Sequence, residues 1–525
     1  MKAAWGVSRA GMPRIERPRC SSLVPACAVC VALYSSVARA QVEDLPLGAA
    51  RSVQVVPTLG LSAQATNNVN LSATDKQGDV FFILTPGINI SGQSGRVRGF
   101  LDYTLNASFS ANRTGETSFT NALAANVRAE AVENWLFVDA SASISQQYIN
   151  PFGTQSPEVS LTNANRTEVT TVNVAPFVEG QLAGQVNYLG RAFYSATDSG
   201  TSQASNSASW GGLLHFDSTT RWSKLSWAAD LSYRAIDFSE GRDTFDQLNL
   251  VALKYAITYS LQASVRTNWE RSNVTSLESE TNFGWGGGLI WNPSPRTRLL
   301  LEYDQRIFGS SHLYSFEYRT PQTVWSASSR QGLSTGQYNT GRGVAGSPFE
   351  LLFAQFASVE PDPVKREQLV IAFMKANGID PSNQLTNGYL PSQVQLQDRN
   401  EVSAALLGKR STVVLNIYQT STKNLGPLSN PGNGFANANE IDWQGFGITW
   451  AHRLTPRDTV SFNAAQQQTK QVDGIQDTTL RTGTLMWSSQ VAQRAAFALS
   501  ASYTAQSGST AYNEASVLAS LNLSF

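Results

Sequence analysis

Val517-Leu518-Ala519-Ser520-Leu521-Asn522-Leu523-Ser524-Phe525 is the stretch on which the fold turns. Val517, Ala519, Leu521, Leu523 and Phe525 are apolar, and Ser520, Asn522 and Ser524 stand between them. A period of two puts the two sets on opposite faces of a β-strand. The pattern recurs upstream. Phe497, Leu499, Ala501, Tyr503 and Ala505 alternate with Ala498, Ser500, Ser502 and Thr504. Far earlier, Val97, Leu101, Tyr103, Leu105, Ala107 and Phe109 alternate with Arg98, Asp102, Thr104, Asn106, Ser108 and Ser110. A soluble β-sandwich and a membrane barrel share this signature, so alternation alone gives only an all-β chain.

Three features favour the barrel. The terminal segment resembles the last strand of bacterial outer-membrane proteins, whose final aromatic is read by the barrel-assembly machinery; here that signal is Val517, Ala519, Leu521, Leu523 and Phe525. A small repeat marks tight turns, with Trp ending one strand and Arg seven residues on: Trp291 and Arg298, Trp450 and Arg457, Trp487 and Arg494. A membrane interface suits both, Trp at headgroup level and Arg extending its charge into the polar zone. Charges also lie on faces opposite apolar ones in mid-strand. Asp230 and Arg234 oppose Leu231 and Tyr233; Arg266 and Glu270 oppose Val265 and Trp269; Glu302, Asp304 and Arg306 oppose Leu301 and Tyr303. In a wide barrel such faces line a wet lumen, where mixed signs pair across strands.

The turns divide the chain into about 22 segments, with 18–24 open, the first near 53–65 and the last near 512–525. The expected fold is therefore an all-β, transmembrane, antiparallel up-and-down barrel occupying 53–525, preceded by a short periplasmic segment, 41–52. Tight links such as Gly92–Gly95, Asn292–Arg296 and Gly408–Arg410 face the periplasm; longer ones such as 66–78, 148–167 and 424–436 face outward. One long outer loop, 331–393, breaks the rhythm. Helical spacing in it predicts a packed unit of Leu351, Phe353, Phe356, Leu369 and Phe373, with Lys365 or Arg366 meeting Glu302 or Asp304, and makes the loop a plug or a cap.

Residues 1–40 read as a signal peptide. Lys2, Arg9, Arg14, Arg17 and Arg19 form a basic leader, Leu23–Tyr34 an uncharged core too short to span a membrane, and Ala38-Arg39-Ala40 a cleavage site that predicts a mature start at Gln41. Initiation at Met12 would keep Arg14, Arg17 and Arg19. Cys20, Cys27 and Cys30 all lie in this leader, so the mature chain has no disulfide, thiol nucleophile or thiolate metal site. Cleavage leaves 33 basic and 38 acidic residues, a net of −5, which is not the footprint of a nucleic-acid binder.

The long loop carries a family resemblance. PFELLFAQFASVEPDPVKREQLVIAFMKANGID, then YLPSQVQLQDRNEVSAALLGKRSTVVLNIYQTSTKNL, the Phe316–Trp325 hairpin and the terminal Phe525 together resemble the PEP-CTERM system-associated outer-membrane protein family. The resemblance covers nearly the whole mature chain and is most specific over 310–425. It implies a Gram-negative outer-membrane protein of an exosortase sorting system, linked to exopolysaccharide. It carries over no catalytic or binding residue.

Few residues invite chemistry. His215 and His452 fall near the periplasmic rim and His312 near the outer rim, so they cannot build one catalytic or metal site. His312, flanked by Ser310, Ser311 and Glu317, is the sole anchor for a lipid-modifying enzyme. Gly284-Trp-Gly-Gly-Gly288 lies within a strand with no helix after it, which suits barrel curvature or contact with an inserted loop rather than a phosphate cradle. No cofactor or metal motif is present. The expected role is non-enzymatic, in exopolysaccharide export or envelope assembly, as a pore or as a docking barrel. The expected partners are outer-membrane lipid, the barrel-assembly machinery and exopolysaccharide or its export proteins.

Overall fold

A computed structural model describes residues 52–525, apart from 113–116, 157–162, 202–204, 221, 223, 335–351, 354–355, 357–365, 367–368, 372, 375–392, 427–438 and 473. The leader, the Gln41 start, Leu351 and Lys365 lie outside the described residues.

Twenty-two strands follow one another in chain order. The first eleven are β1 (Ser52–Thr66), β2 (Asp79–Gln93), β3 (Val97–Ser110), β4 (Thr117–Val132), β5 (Leu136–Tyr148), β6 (Arg166–Leu182), β7 (Val186–Asp198), β8 (Ser207–Thr219), β9 (Leu225–Phe238), β10 (Thr244–Ala256) and β11 (Leu261–Ser272). The rest are β12 (Glu280–Ser294), β13 (Thr297–Arg306), β14 (Gly309–Arg319), β15 (Thr323–Ser334), β16 (Gln395–Leu407), β17 (Ser411–Asn424), β18 (Glu440–Arg453), β19 (Asp458–Gln471), β20 (Asp477–Ala492), β21 (Ala495–Gly508) and β22 (Tyr512–Ser524). Each pairs antiparallel with its neighbours, and β22 returns to β1 from Thr58↔Ser524 to Thr66↔Ser516. The Phe525 N–H donates to the Pro57 carbonyl, 3.0 Å away, at the foot of this seam. The sheet is closed, so no strand edge is left to meet lipid.

Alternation assigns the faces. Val265, Phe283, Trp285, Leu415, Ile417 and Phe446 are exposed on the outer wall, where lipid takes up their apolar surface. Exposed aromatics gather toward both ends of it: Trp135, Trp222, Trp291, Trp325 and Trp487 at the short-turn end, and Tyr194, Trp210, Trp269 and Tyr503 at the other. A closed barrel with an apolar wall between two aromatic girdles is an outer-membrane barrel.

Backbone chemistry sets the details. The tight turns use left-handed residues, Asn134 (φ 54°) between β4 and β5, and Ala183 (φ 50°) with Gly184 (φ 67°) between β6 and β7. Register shifts fall at Glu130/Val132, Trp291/Ser294 and Gln490/Ala492, all at the short-turn rim, where bulges bend strands into turns. The pairing of β2 with β3 skips Thr85 and Pro86, and that of β6 with β7 skips Ala175 and Pro176, because proline has no N–H for the ladder.

Candidate functional site: the barrel lumen

The inner wall is charged, and its charges are tied in a repeated way. Arg266 on β11 lies 3.3 Å from both Glu302 and Asp304 on β13, so the contact spans the intervening β12. What makes room is glycine. A Cβ on Gly286 would stand 2.1 Å from Asp304 Oδ1, and one on Gly288 2.8 Å from an Arg266 nitrogen. The glycine run therefore clears a path for a bridge that crosses one strand, from β11 to β13. Arg306 on β13 likewise crosses to Glu270 on β11, donating from Nε and Nη2 at 2.9 and 2.7 Å, and lies 3.5 Å from Asp246 on β10. The Glu270 side chain is wholly shielded from water.

The device recurs around the wall. Over Gly211 of β8, Arg234 of β9 lies 5.5 Å from the Phe193 ring centre of β7. Over Gly445 of β18, the Tyr418 hydroxyl donates to Gln467 Oε1 at 2.9 Å, with Arg399 stacked on the Tyr418 ring. Asp139 of β5 accepts from Arg128 at 2.6 Å and from Arg191 of β7 at 2.8 Å, and both guanidiniums cover the Phe177 ring. Asp230 meets His215 Nδ1 at 2.6 Å, and Asp217 lies 3.3 Å from Nε2. All seven charges expected in the lumen stand on this wall; Asp246, Arg128, Asp139, Arg191, Arg399 and Glu401 join them.

Loops fold onto the same wall. The described residues of the long loop are mostly helical: Leu352, Phe353, Arg366, Leu369, Val370, Ile371, Phe373 and Met374. Leu352, Val370 and Met374 are fully buried against Ala451, with Leu407 alongside. Ala451 and Leu407 point inward near the ends of β18 and β16, at the short-turn, periplasmic rim. The loop leaves β15 at the opposite end. The buried stripe is one position off the expected unit: Leu352, Val370 and Met374 face the wall, Phe353, Phe356 and Phe373 flank it, and Leu369 is exposed. Phe356 and Phe373 meet edge-on at 5.2 Å. Arg366 lies 4.7 Å over the Phe353 ring, while Glu302 and Asp304 pair with Arg266 instead.

The β5–β6 connection, an outward link by its length, also reaches the wall. Tyr148 closes β5, and the chain beyond it crosses the mouth. Phe152 packs with Tyr418, Ile441 and Trp443 of β17 and β18. Gln155 N–H donates to Gln506 at 2.9 Å, and the Ser156 hydroxyl to Glu514 at 3.1 Å, on β21 and β22. The signal was one aromatic in an otherwise polar turn, Asn150-Pro-Phe-Gly-Thr154. At the same end Ile236, Phe238, Val274 and Val394 form an apolar cluster with Leu333 and Leu425, and Arg242 binds the Val274 and Ser276 carbonyls.

The remaining expected residues sort as follows. Val517, Ala519, Leu521 and Leu523 oppose Ala65, Ala63, Leu61 and Leu59 on the outer face of the seam, and Phe525 is exposed. Trp291, Trp450 and Trp487 face outward near the short-turn rim, with Trp450 stacked on His452. Arg457 and Arg494 are exposed in the turns, but Arg298 stands opposite Glu317 on the lumen side, because it lies inside β13 rather than in the turn. The histidines do not meet. His312 Nε2 is 2.8 Å from Ser329 Oγ of β15, not from its expected neighbours, and His452 Nδ1 is 2.7 Å from Ser411. Ser310 and Ser311 instead donate to Gln331, and Glu317 pairs with Arg319. Ser329 sits between β14 and β16 in the ladder, a setting that gives its hydroxyl no pair of free N–H groups for an oxyanion.

Neither a family model nor a curated protein matches this sequence. Solved structures similar in fold include the siderophore receptor PirA from Acinetobacter baumannii (10% identity over 89% of this chain and 80% of that one, TM-score 0.44) and PirA from Pseudomonas aeruginosa (9% identity, 90% and 80%, TM-score 0.39). Pseudomonas aeruginosa OccK2 (OpdF) is another, at 7% identity over 90% of this chain and 98% of that one, with a TM-score of 0.34.

Proposed function

We propose that the protein is a non-enzymatic outer-membrane barrel whose own loops narrow its lumen, and that it serves exopolysaccharide export or envelope assembly in an exosortase/PEP-CTERM setting as a constricted pore. One observation carries the constriction. Leu352, Val370 and Met374 belong to a loop that leaves β15 at the outer end, yet they pack on Ala451 and Leu407 at the periplasmic end. Val324, Ala405 and Val414 on the same stretch of inner wall are also sealed from water. The described loop residues thus occupy the periplasmic end of the lumen. The PEP-CTERM and polysaccharide parts rest on the sequence resemblance over 310–425.

Deleting the gene and measuring surface polysaccharide and outer-membrane permeability tests the assignment. Loss of surface polymer, or a changed permeability, supports it; a mutant unaltered in both removes it. A docking barrel that holds surface polymer without conducting is the second reading. Conductance of the pure protein in a planar bilayer separates the two, since a docking barrel passes no current.

A further inference from the structure

Between the apolar cluster at the mouth and the Arg306–Glu270 bridge, the wall of β7–β10, with Val274, Arg306, Leu333 and Val394, borders a half-open cavity of about 450 Å³. That lies within the usual range for small-molecule sites. Its charged corner is made by Arg191, Arg234 and Arg306 with one carboxylate, Asp246; Phe193, Ile236 and Leu248 supply apolar surface. The three arginines are not equivalent. Arg191 is held by Asp139, and Arg306 by Glu270 and Asp246. Arg234 stands directly across from Asp246 in the ladder and feels its charge, but it lies over the Phe193 ring, and among the described residues it forms no ion pair within 4 Å. Gly211 beneath it allows that pose, since a Cβ there would stand 2.8 Å from the Phe193 ring.

We infer that this cavity binds a small monocarboxylate with an aromatic or alicyclic body, its carboxylate on Arg234. A planar guanidinium fixed by an aromatic ring presents its remaining N–H groups as a fork that matches a carboxylate in two parallel hydrogen bonds. Cations are disfavoured because Arg191, Arg234 and Arg306 outnumber the one carboxylate that lines the cavity, Asp246, which lies 3.5 Å from Arg306. Inorganic anions such as sulfate would lose hydration against Phe193, Ile236 and Leu248 without apolar contact in return. A carboxylate on a ring uses both halves of the site. This site is a property of the folded wall and does not depend on whether the lumen conducts.

The test is calorimetric titration of the full chain, folded in detergent, with benzoate and with benzyl alcohol. Benzoate should bind saturably and benzyl alcohol at least tenfold more weakly. Arg234→Gln should weaken benzoate at least tenfold (about 1.4 kcal/mol), Arg234→Lys should fall between, and Arg481→Gln, on the outer wall, should bind as wild type. Fast migration of unheated protein on a denaturing gel verifies that each variant is a closed barrel. Equal binding of the two ligands, no saturable binding of benzoate by folded protein, or benzoate binding unchanged in folded Arg234→Gln would each overturn the inference. If binding holds while planar-bilayer conductance is nil, the site stands and the pore reading fails; conductance without binding gives the reverse.

Discussion

At the residue scale, the lumen is organised by what is missing from alternate positions. A salt bridge between β11 and β13 has to pass over β12, and Gly286 and Gly288 leave that route open. Arg266 and Arg306 are nearly sealed from water, so each depends on its carboxylates; stripping a partner from a buried pair costs about 3–5 kcal/mol. Gly286→Val should therefore push Asp304 off Arg266 and destabilise the barrel by roughly 1–3 kcal/mol, the usual cost of overpacking. Gly483→Ala is the control, since nothing stands within 4 Å of its Cβ. Urea unfolding of vesicle-inserted protein reads the difference; equal midpoints for Gly286→Val and wild type would contradict the clearance role. The charges themselves were legible in the sequence, because a period of two separates Glu302, Asp304 and Arg306 from Leu301 and Tyr303. Their partners were not. Pairing over an intervening strand depends on the register of three strands at once, and only the glycines, sharing a face with the charges, hinted at it.

At the element scale, the terminal strand illustrates how far local pattern reaches. β22 opposes Val517, Ala519, Leu521 and Leu523 to apolar or small residues of β1, so one strand both closes the barrel and completes its lipid-facing wall. A charge at Phe525 would sit at the rim, where the lipid penalty is far below the roughly 2–4 kcal/mol of the midplane. Phe525→Asp should nevertheless block assembly, if the terminal aromatic is the assembly signal, while Ser524→Ala inserts normally; fractionation of outer membranes with a heat-modifiability gel reads both. Normal insertion of Phe525→Asp would remove the signal role. All 22 strands were legible because lipid on one side and a polar lumen on the other enforce a strict alternation that turns interrupt. Loops lack that constraint. In the helical loop, i, i+4 spacing permits adjacent stripes, and contact with Ala451 and Leu407 selects Leu352, Val370 and Met374 over the neighbouring set. In the β5–β6 connection, Phe152 finds its partners on β17 and β18, far away in sequence. Phe152→Ala should loosen that tie across the mouth and raise single-channel conductance or its flicker without changing heat-modifiability; a trace identical to wild type would make the crossing loop irrelevant to the path.

At the scale of the whole molecule, the question is what fills the space. With strands about 4.8 Å apart and tilted about 40°, 22 of them enclose a backbone cylinder of radius roughly 22 Å. Wall side chains leave much of that area open, so an unfilled barrel would admit large solutes freely. Chain length permits the long loop to enter. Seventeen residues separate Ser334, at the outer end of β15, from Leu352. At about 3.3 Å per extended residue they reach some 55 Å, more than the roughly 30 Å height of a tilted strand of that length. Leu352, Val370 and Met374 meet Ala451 and Leu407 at the other end of the wall, a distance within that reach. Replacing 335–390 with a short Gly-Ser link should therefore leave β15 and β16 paired, because their ladder runs without the loop from Thr323↔Leu406 to Ser334↔Gln395. Heat-modifiable migration should persist, with a small loss of stability as Val324, Ala405 and Val414 become wet. Planar-bilayer conductance and the entry of large antibiotics into cells should rise several-fold. A correctly inserted variant with unchanged conductance and unchanged antibiotic entry would show that the loop does not close the path, and would leave it the role of a structural strut on the inner wall.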